Sequence, residues 1–128
     1  MSMHYLSSLF TPDSIAVFGA SERKNAVGEV VLRNILAAGY EGKVFAINPK
    51  HDQIQGQKAY KHLSEINQAI DLAVVATPAK TLPAIVEACG EHGIKMMLIL
   101  SAGFRETGSE GRKLEDEVTR LATNYGIR

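Results

Sequence analysis

The chain has 128 residues, 45% hydrophobic and 22% charged, which fits one folded domain and excludes a disordered segment. Its 14 Lys plus Arg balance 14 Asp plus Glu, so it has no net charge with which to coat nucleic acid or an anionic membrane, and any bound anion must meet a local cluster. One cysteine, Cys89, excludes an internal disulfide and a Cys-based zinc site, and no run approaches the roughly 18 apolar residues of a membrane-spanning helix.

The segment Ser14-Ile15-Ala16-Val17-Phe18 is short, apolar and ends at Gly19, as a buried strand does. Val27, Val31, Ile35 and Ala38 then fall at or near helical spacing and stop before Gly39, and a second strand follows over residues 44–47. From 53 to 67 the pattern weakens to a turn around Gly56, an extended piece at Ala59-Tyr60 and a brief helix over 63–66. A third apolar run covers 72–76. Leu82, Ile85, Val86 and Cys89 then take i, i+3, i+4, i+7 spacing, with a stop at Gly90 or Gly93. A fourth strand is expected over 96–100. The stripe Leu114, Val118, Leu121, Ala122 and Tyr125 gives a last helix, with Gly126 as its C-terminal cap. None of the strand runs alternates between apolar and polar residues, so both faces of the sheet are expected to be covered. The order predicts an α/β fold, a Rossmann-like doubly wound parallel sheet in three α/β/α layers. Gly126-Ile127-Arg128 reads as the start of another strand, so residues 1–128 are expected to be one domain from a longer protein. With no Lys or Arg before Arg23 and a break at Pro12-Asp13, no secretory signal is read, and the expected location is cytoplasmic.

Ligands of open α/β sheets bind at the carboxyl ends of the strands, which selects four loops. The first, Gly19-Ala20-Ser21-Glu22-Arg23-Lys24-Asn25-Ala26-Val27-Gly28, follows a strand and opens a helix, so free N–H groups and the helix dipole face an anion there. It is not G-x-G-x-x-G, because Ser21 takes the second glycine's place and Gly28 comes later. It is neither a Walker loop nor G-x-S-x-G, because no Gly-Lys-Ser/Thr follows and Arg23 replaces the last glycine. The second loop, Asn48-Pro49-Lys50, has a cation where an NAD-binding domain places Asp or Glu, which favours a ligand with an extra phosphate on its ribose. The third, Ala76-Thr77-Pro78, and the fourth, Ser101-Ala102-Gly103-Phe104, are small enough for a flat base or an extended chain to approach the backbone. An ordinary βα loop and an exposed turn lysine remain the alternative readings of the first two. Cys89 and His92 have Cys-x-x-His spacing, but Cys89 lies on an apolar stripe and His92 in a helix's last turn, so no metal site is read. Met96 and Met97 are read as strand core, and no catalytic triad or carboxylate pair is found.

The motifs Leu9-Phe10-x-Pro12-x-Ser14-Ile15-Ala16-Val17-x-Gly19-Ala20-Ser21, Val31-Leu32-Arg33-Asn34, Asn48-Pro49-Lys50, Asp71-Leu72-Ala73-Val74-x-Ala76-Thr77-Pro78-Ala79 and Leu100-Ser101-Ala102-Gly103-Phe104 occur in this order. Together, over essentially the whole chain, they resemble the CoA-binding domain of nucleoside-diphosphate-forming acyl-CoA synthetases, relatives of the succinyl-CoA synthetase α subunit. The resemblance implies that Gly19, Ser21, Arg23, Lys24 and Asn25 face the CoA pyrophosphate, with Ala20 and Gly28 in the same loop. It implies Asn48, Pro49 and Lys50 near the phosphorylated nucleotide, Thr77 and Pro78 beside nucleotide or pantetheine, and Ser101, Ala102 and Gly103 near the thiol end. The family's phosphohistidine lies in a following domain, so His4, His51, His62 and His92 are not assigned that role. The expected function is therefore binding of CoA or acyl-CoA in a protein whose downstream ligase domains make acyl-CoA, ADP and phosphate from acid, CoA and ATP. Neither nucleic acid nor membrane is an expected partner, and no residue here is read as catalytic. The alternatives are the acyl-CoA-sensing front of a GNAT-fused lysine acetyltransferase, whose start Met1-Ser2-x-His4-Tyr5-Leu6 resembles, an NADP-binding oxidoreductase domain, and a redox-sensing or scaffold module.

Overall fold

The computed structural model describes residues 12–100 and 108–128. Its elements in chain order are β1 (Ser14–Phe18), α1 (Val27–Ala37), β2 (Lys43–Ile47), β3 (Gln53–Ile54), β4 (Gln57–Tyr60), a 3₁₀ turn (Leu63–Glu65), β5 (Leu72–Val75), a second 3₁₀ turn (Ala79–Thr81), α2 (Leu82–His92), β6 (Met97–Ile99) and α3 (Ser109–Tyr125). The six strands form one sheet in the order β3-β4-β2-β1-β5-β6. Every pairing is parallel except β3 with β4, so the five parallel strands follow the 3-2-1-4-5 order of a Rossmann half-and-more, with a small antiparallel hairpin on one edge.

Successive residues of β1 point to opposite faces, which explains the unbroken apolar run. Ile15 and Val17 pack with Leu32 of α1, and with Ile54, Leu72 and Val74, on one side. Ala16 and Phe18 pack with Leu82, Val86 and Cys89 of α2, and with Val118 of α3, on the other. The three layers are thus α1, the sheet, and the α2–α3 pair. Cys89 is fully buried between them. The caps at Gly93 and Gly126 both adopt positive φ, 85° and 70°, where a side chain would be strained.

Two expectations need correction. The buried stripe of α1 is not Val27–Val31–Ile35–Ala38, since Val27 is 51% exposed and Ala38 is exposed; it runs through Gly28, Val31, Leu32, Ile35 and Leu36. The helix turns its glycine, not its first valine, to the sheet. The weak stretch from 53 to 60 is a two-stranded hairpin, whose first strand, Gln53–Ile54, was not expected. The end of the chain lies beside β6. Arg128 donates its N–H to the Lys95 carbonyl and accepts from the Met97 N–H, both at 2.8 Å, the bond pair of a parallel neighbour. No helix of the described residues is long and apolar enough to cross a membrane.

Candidate functional site

A cleft of about 1130 Å³ opens along the carboxyl ends of the parallel strands. Its volume lies just above the roughly 300–1,000 Å³ usual for small-molecule sites. One wall comes from the loop after β1 and the start of α1: Gly19, Ser21, Arg23, Val27 and Gly28. Asn48, Pro49 and Lys50 follow β2, and Lys61, His62 and Ser64 follow β4. The opposite wall is less polar, with Thr77, Pro78, Thr81, Ala84, Ile85 and Ala88. Among the described residues, three cations line the cleft, Arg23, Lys50 and Lys61, and no Asp or Glu does. A neutral chain thereby presents a local positive field.

Both glycines of the first loop are required by contact. A Cβ on Gly19, whose φ is 84°, would stand 2.8 Å from the Ala76 carbonyl, and one on Gly28 would overlap the Gly19 carbonyl. Gly19 therefore makes the tight turn, and Gly28 lets α1 close onto the strand end. These are the first and third glycine roles of the dinucleotide fingerprint, separated by a longer loop. The N–H groups of Val27, Gly28 and Glu29 belong to the first turn of α1 and have no intrahelical acceptor.

The loop is held from outside. Asn48 donates from Nδ2 to the Ala20 carbonyl at 2.8 Å, while its Oδ1 accepts the Lys50 N–H at 2.8 Å. Its amide thus positions two loops. Gln55, at the tip of the β3–β4 hairpin, reaches Ser21 and Glu22. Glu29 accepts the Asn25 N–H at 3.0 Å on one oxygen and the Arg33 Nε at 2.8 Å on the other. Arg33, then Asn25, hold its carboxyl below the ordinary 4.5 despite its partial burial. Within the loop, Ser21 Oγ accepts the Arg23 N–H at 2.9 Å. On the other wall, Thr81 donates to the Pro78 carbonyl at 2.6 Å and so has no proton left for Thr77, 2.7 Å away. Thr77 is therefore the donor in that pair.

Of the residues singled out from the sequence, the structure brings Gly19, Ser21, Arg23, Gly28, Asn48, Pro49, Lys50, Thr77 and Pro78 to one cleft. Ala20 lies beneath it, fully buried, and Lys24 and Asn25 lie outside its lining. Asn25 instead takes a φ of 68° to turn the chain into α1. Ser101, Ala102 and Gly103 lie outside the described residues. His92 bonds through Nε2 to the Gln68 carbonyl at 2.8 Å, away from the cleft. Sequence reasoning missed Lys61, His62 and Ser64. The signal was present, because they follow an extended piece and the strand-end rule applies to that strand too. It also missed Ala84 and Ala88, and counted Ile85 only as helix core.

Residues 13–128 match the family of the CoA binding domain. The chain belongs to that family. The domain is 41% identical over 127 residues to subunit alpha of the ADP-forming acetate–CoA ligase I of Pyrococcus furiosus, covering 96% of this chain and 28% of that subunit. It is 38% identical over 123 residues to the ADP-forming acetate–CoA ligase I of Archaeoglobus fulgidus, covering 96% and 18%. The solved dinucleotide forming acetyl-coenzyme A synthetase 1 of Ca. Korarchaeum cryptofilum superposes with a TM-score of 0.89 at 38% identity, covering 96% of this chain and 26% of that one. The domain thus spans less than a third of each of these proteins.

Proposed function

We propose that the domain binds CoA or acyl-CoA along this cleft, as the CoA-holding part of an ADP-forming acid–CoA ligase. The observation that carries the reading is the pairing of a glycine-built, cationic wall with a small-residue apolar wall along one strand edge. A ligand phosphorylated at one end and uncharged along the other fits such a cleft. The first-turn N–H groups of α1 and Arg23 hold the pyrophosphate, with Ser21 offering its hydroxyl proton. Lys50 and Lys61 hold the phosphate on the ribose. Pro78, Ala84, Ile85 and Ala88 pack against the pantetheine arm, with the thiol end toward the loop after β6. Ser101, Ala102 and Gly103 are assigned to that end by family resemblance alone. CoA supplies the thiol that takes the acyl group; this domain's residues bind and orient it, and activation of the acid belongs to other parts of the ligase.

Membership of the family and the ligase relatives favour this reading over an NADP-binding domain, and the missing second glycine at Ser21 points the same way. Titration calorimetry of residues 1–128 tests it: CoA should bind saturably and more tightly than NADP or NAD, and equal or tighter NADP binding would overturn it. With acetate, ATP, Mg²⁺ and CoA the same chain should form no acetyl-CoA above background. Thioester synthesis would mean that a catalytic centre lies within it.

A further inference from the structure

The β3–β4 hairpin contributes nothing to the lining of the cleft, yet its tip is tied to the loop that does. The turn is Gln55-Gly56, with φ of 51° and 78°, the two positive values of a type I′ hairpin. Gly56 suits its conformation. Gln55 does not, because a residue with a side chain resists the left-handed region, and Asn or Gly is the usual occupant. Among the described residues it shares this conformation, outside glycine, only with Asn25 of the first loop.

What Gln55 does from there is specific. Its amide nitrogen divides its two hydrogens between the Ser21 and Glu29 carbonyls, each at 3.1 Å, and its backbone N–H donates to Glu22 Oε2 at 2.9 Å. Three bonds thus join one half-buried residue to both ends of the stretch from the loop after β1 into α1. The partners lie 26 to 34 positions away in sequence, so the contact is tertiary. The hairpin is a firm base for it. Ile54 is fully buried against the α1 side of the sheet, and β4 is laddered to β2 through Ala59 and Tyr60. A peptide plane is rigid, so a Ser21 carbonyl held toward the hairpin turns the Glu22 N–H to the opposite side.

We infer that Gln55 is a positioning residue for phosphate binding. It sets the backbone of residues 21–29 before the ligand arrives, without touching the ligand. The inference rests on the CoA reading above, and its consequence is a lower ordering cost on binding. The left-handed strain at Gln55 separates this role from plain stabilisation. Gln55→Gly removes the amide and relieves the backbone, so the thermal midpoint should stay level or rise. CoA affinity should nevertheless fall about tenfold, the scale of a lost hydrogen-bond pair, and amide hydrogen exchange across residues 20–29 should quicken. Gln55→Glu, which sets a carboxylate against two carbonyls and the Glu22 carboxylate, should weaken CoA at least as much. If Gln55→Gly fails to fold, Gln55→Asn is measured in its place, since it tolerates the same φ with an amide one methylene short. Unchanged CoA affinity with unchanged exchange in a folded variant overturns the inference, and so does a loss of affinity that only tracks a fall in the thermal midpoint. Should the unaltered chain not bind CoA at all, the functional reading fails, while exchange across residues 20–29 still decides whether Gln55 orders the loop.

Discussion

At the amino end of the sheet the polar groups close on one another, whereas at the carboxyl end they are braced from behind and leave a cleft in front. At the start of β1, the Asp13 N–H donates to Asp71 Oδ2 at 2.7 Å, and Ser14 Oγ donates to the Ala69 carbonyl while accepting the Asp71 N–H, both at 3.1 Å. The Tyr40 hydroxyl seals the corner on the Pro12 carbonyl at 2.6 Å, and Gly42 is bare because a Cβ there would strike that phenol and the Asp13 carbonyl. Burial, then Asp13 and Asp71, push the Tyr40 phenol up, so the bond persists through neutral pH. At the other end, Asn48, Gln55 and Glu29 spend their bonds on the back of the first loop, and the cations Arg23 and Lys50 stay in the cleft lining. The same strands therefore have one end closed by its own hydrogen bonds and one that leaves an open, cationic cleft.

The largest effect that sharpens this contrast is expected at Lys50. Lys50→Ala should cost CoA about 1.5–3 kcal/mol, ten- to a hundredfold in affinity, while dephospho-CoA and the thermal midpoint barely change. Equal losses for both ligands would move Lys50 to the pyrophosphate. Next comes Ser14, 6% exposed at the opposite end. Ser14→Ala leaves the Ala69 carbonyl without its donor and should lower unfolding free energy in urea by roughly 1–3 kcal/mol with CoA affinity intact. A change in affinity there would break the division between the two ends. The smallest effect is the pH dependence carried by Glu29. Its carboxyl is depressed in the folded state, so its contribution is present above the unfolded carboxylate range and disappears as pH falls through the folded value. The difference in thermal midpoint between the unaltered chain and Glu29→Gln should be visible at pH 7 and shrink as pH falls below the ordinary carboxylate range. A gap that persists in acid would assign Glu29 a role other than its charge.

The strand ends were legible in the sequence because apolar runs such as 14–18 and 72–76 stop abruptly at Gly19 or before Pro78, and that alone located most of the cleft. The stripe of α1 was not, since apolar periodicity gives weight to Val27 and none to Gly28, whereas burial there depends on having no side chain. The hairpin was faint for a related reason. Of Gln53, Ile54, Gln57, Lys58 and Ala59 only Ile54 and Ala59 are buried, as suits an edge strand, so no hydrophobic pattern announces it. Because Ala59-Tyr60 reads only as a short extended piece and not as a strand with a ligand-facing end, Lys61 and His62 have no place in the site predicted from sequence. Gln55 lies beyond any local pattern, because its meaning is carried by partners on another element. Spacing kept Gly28 out of the dinucleotide fingerprint, and contact gives it the third glycine's role all the same.

The burial of Cys89 has a bearing on chemistry as well as packing. It is the chain's one cysteine, and burial pushes its thiol up to about 12. Thiol–disulfide exchange proceeds through the thiolate, so at neutral pH Cys89 stays in the unreactive thiol form, and it is sealed between α2 and the sheet. In the proposed reading, the domain holds CoA's free thiol as cargo for as long as the ligand stays. Because its own sulfur cannot compete for an oxidant or for the cargo, the ligand should leave as the same thiol that entered, with no mixed disulfide to the protein.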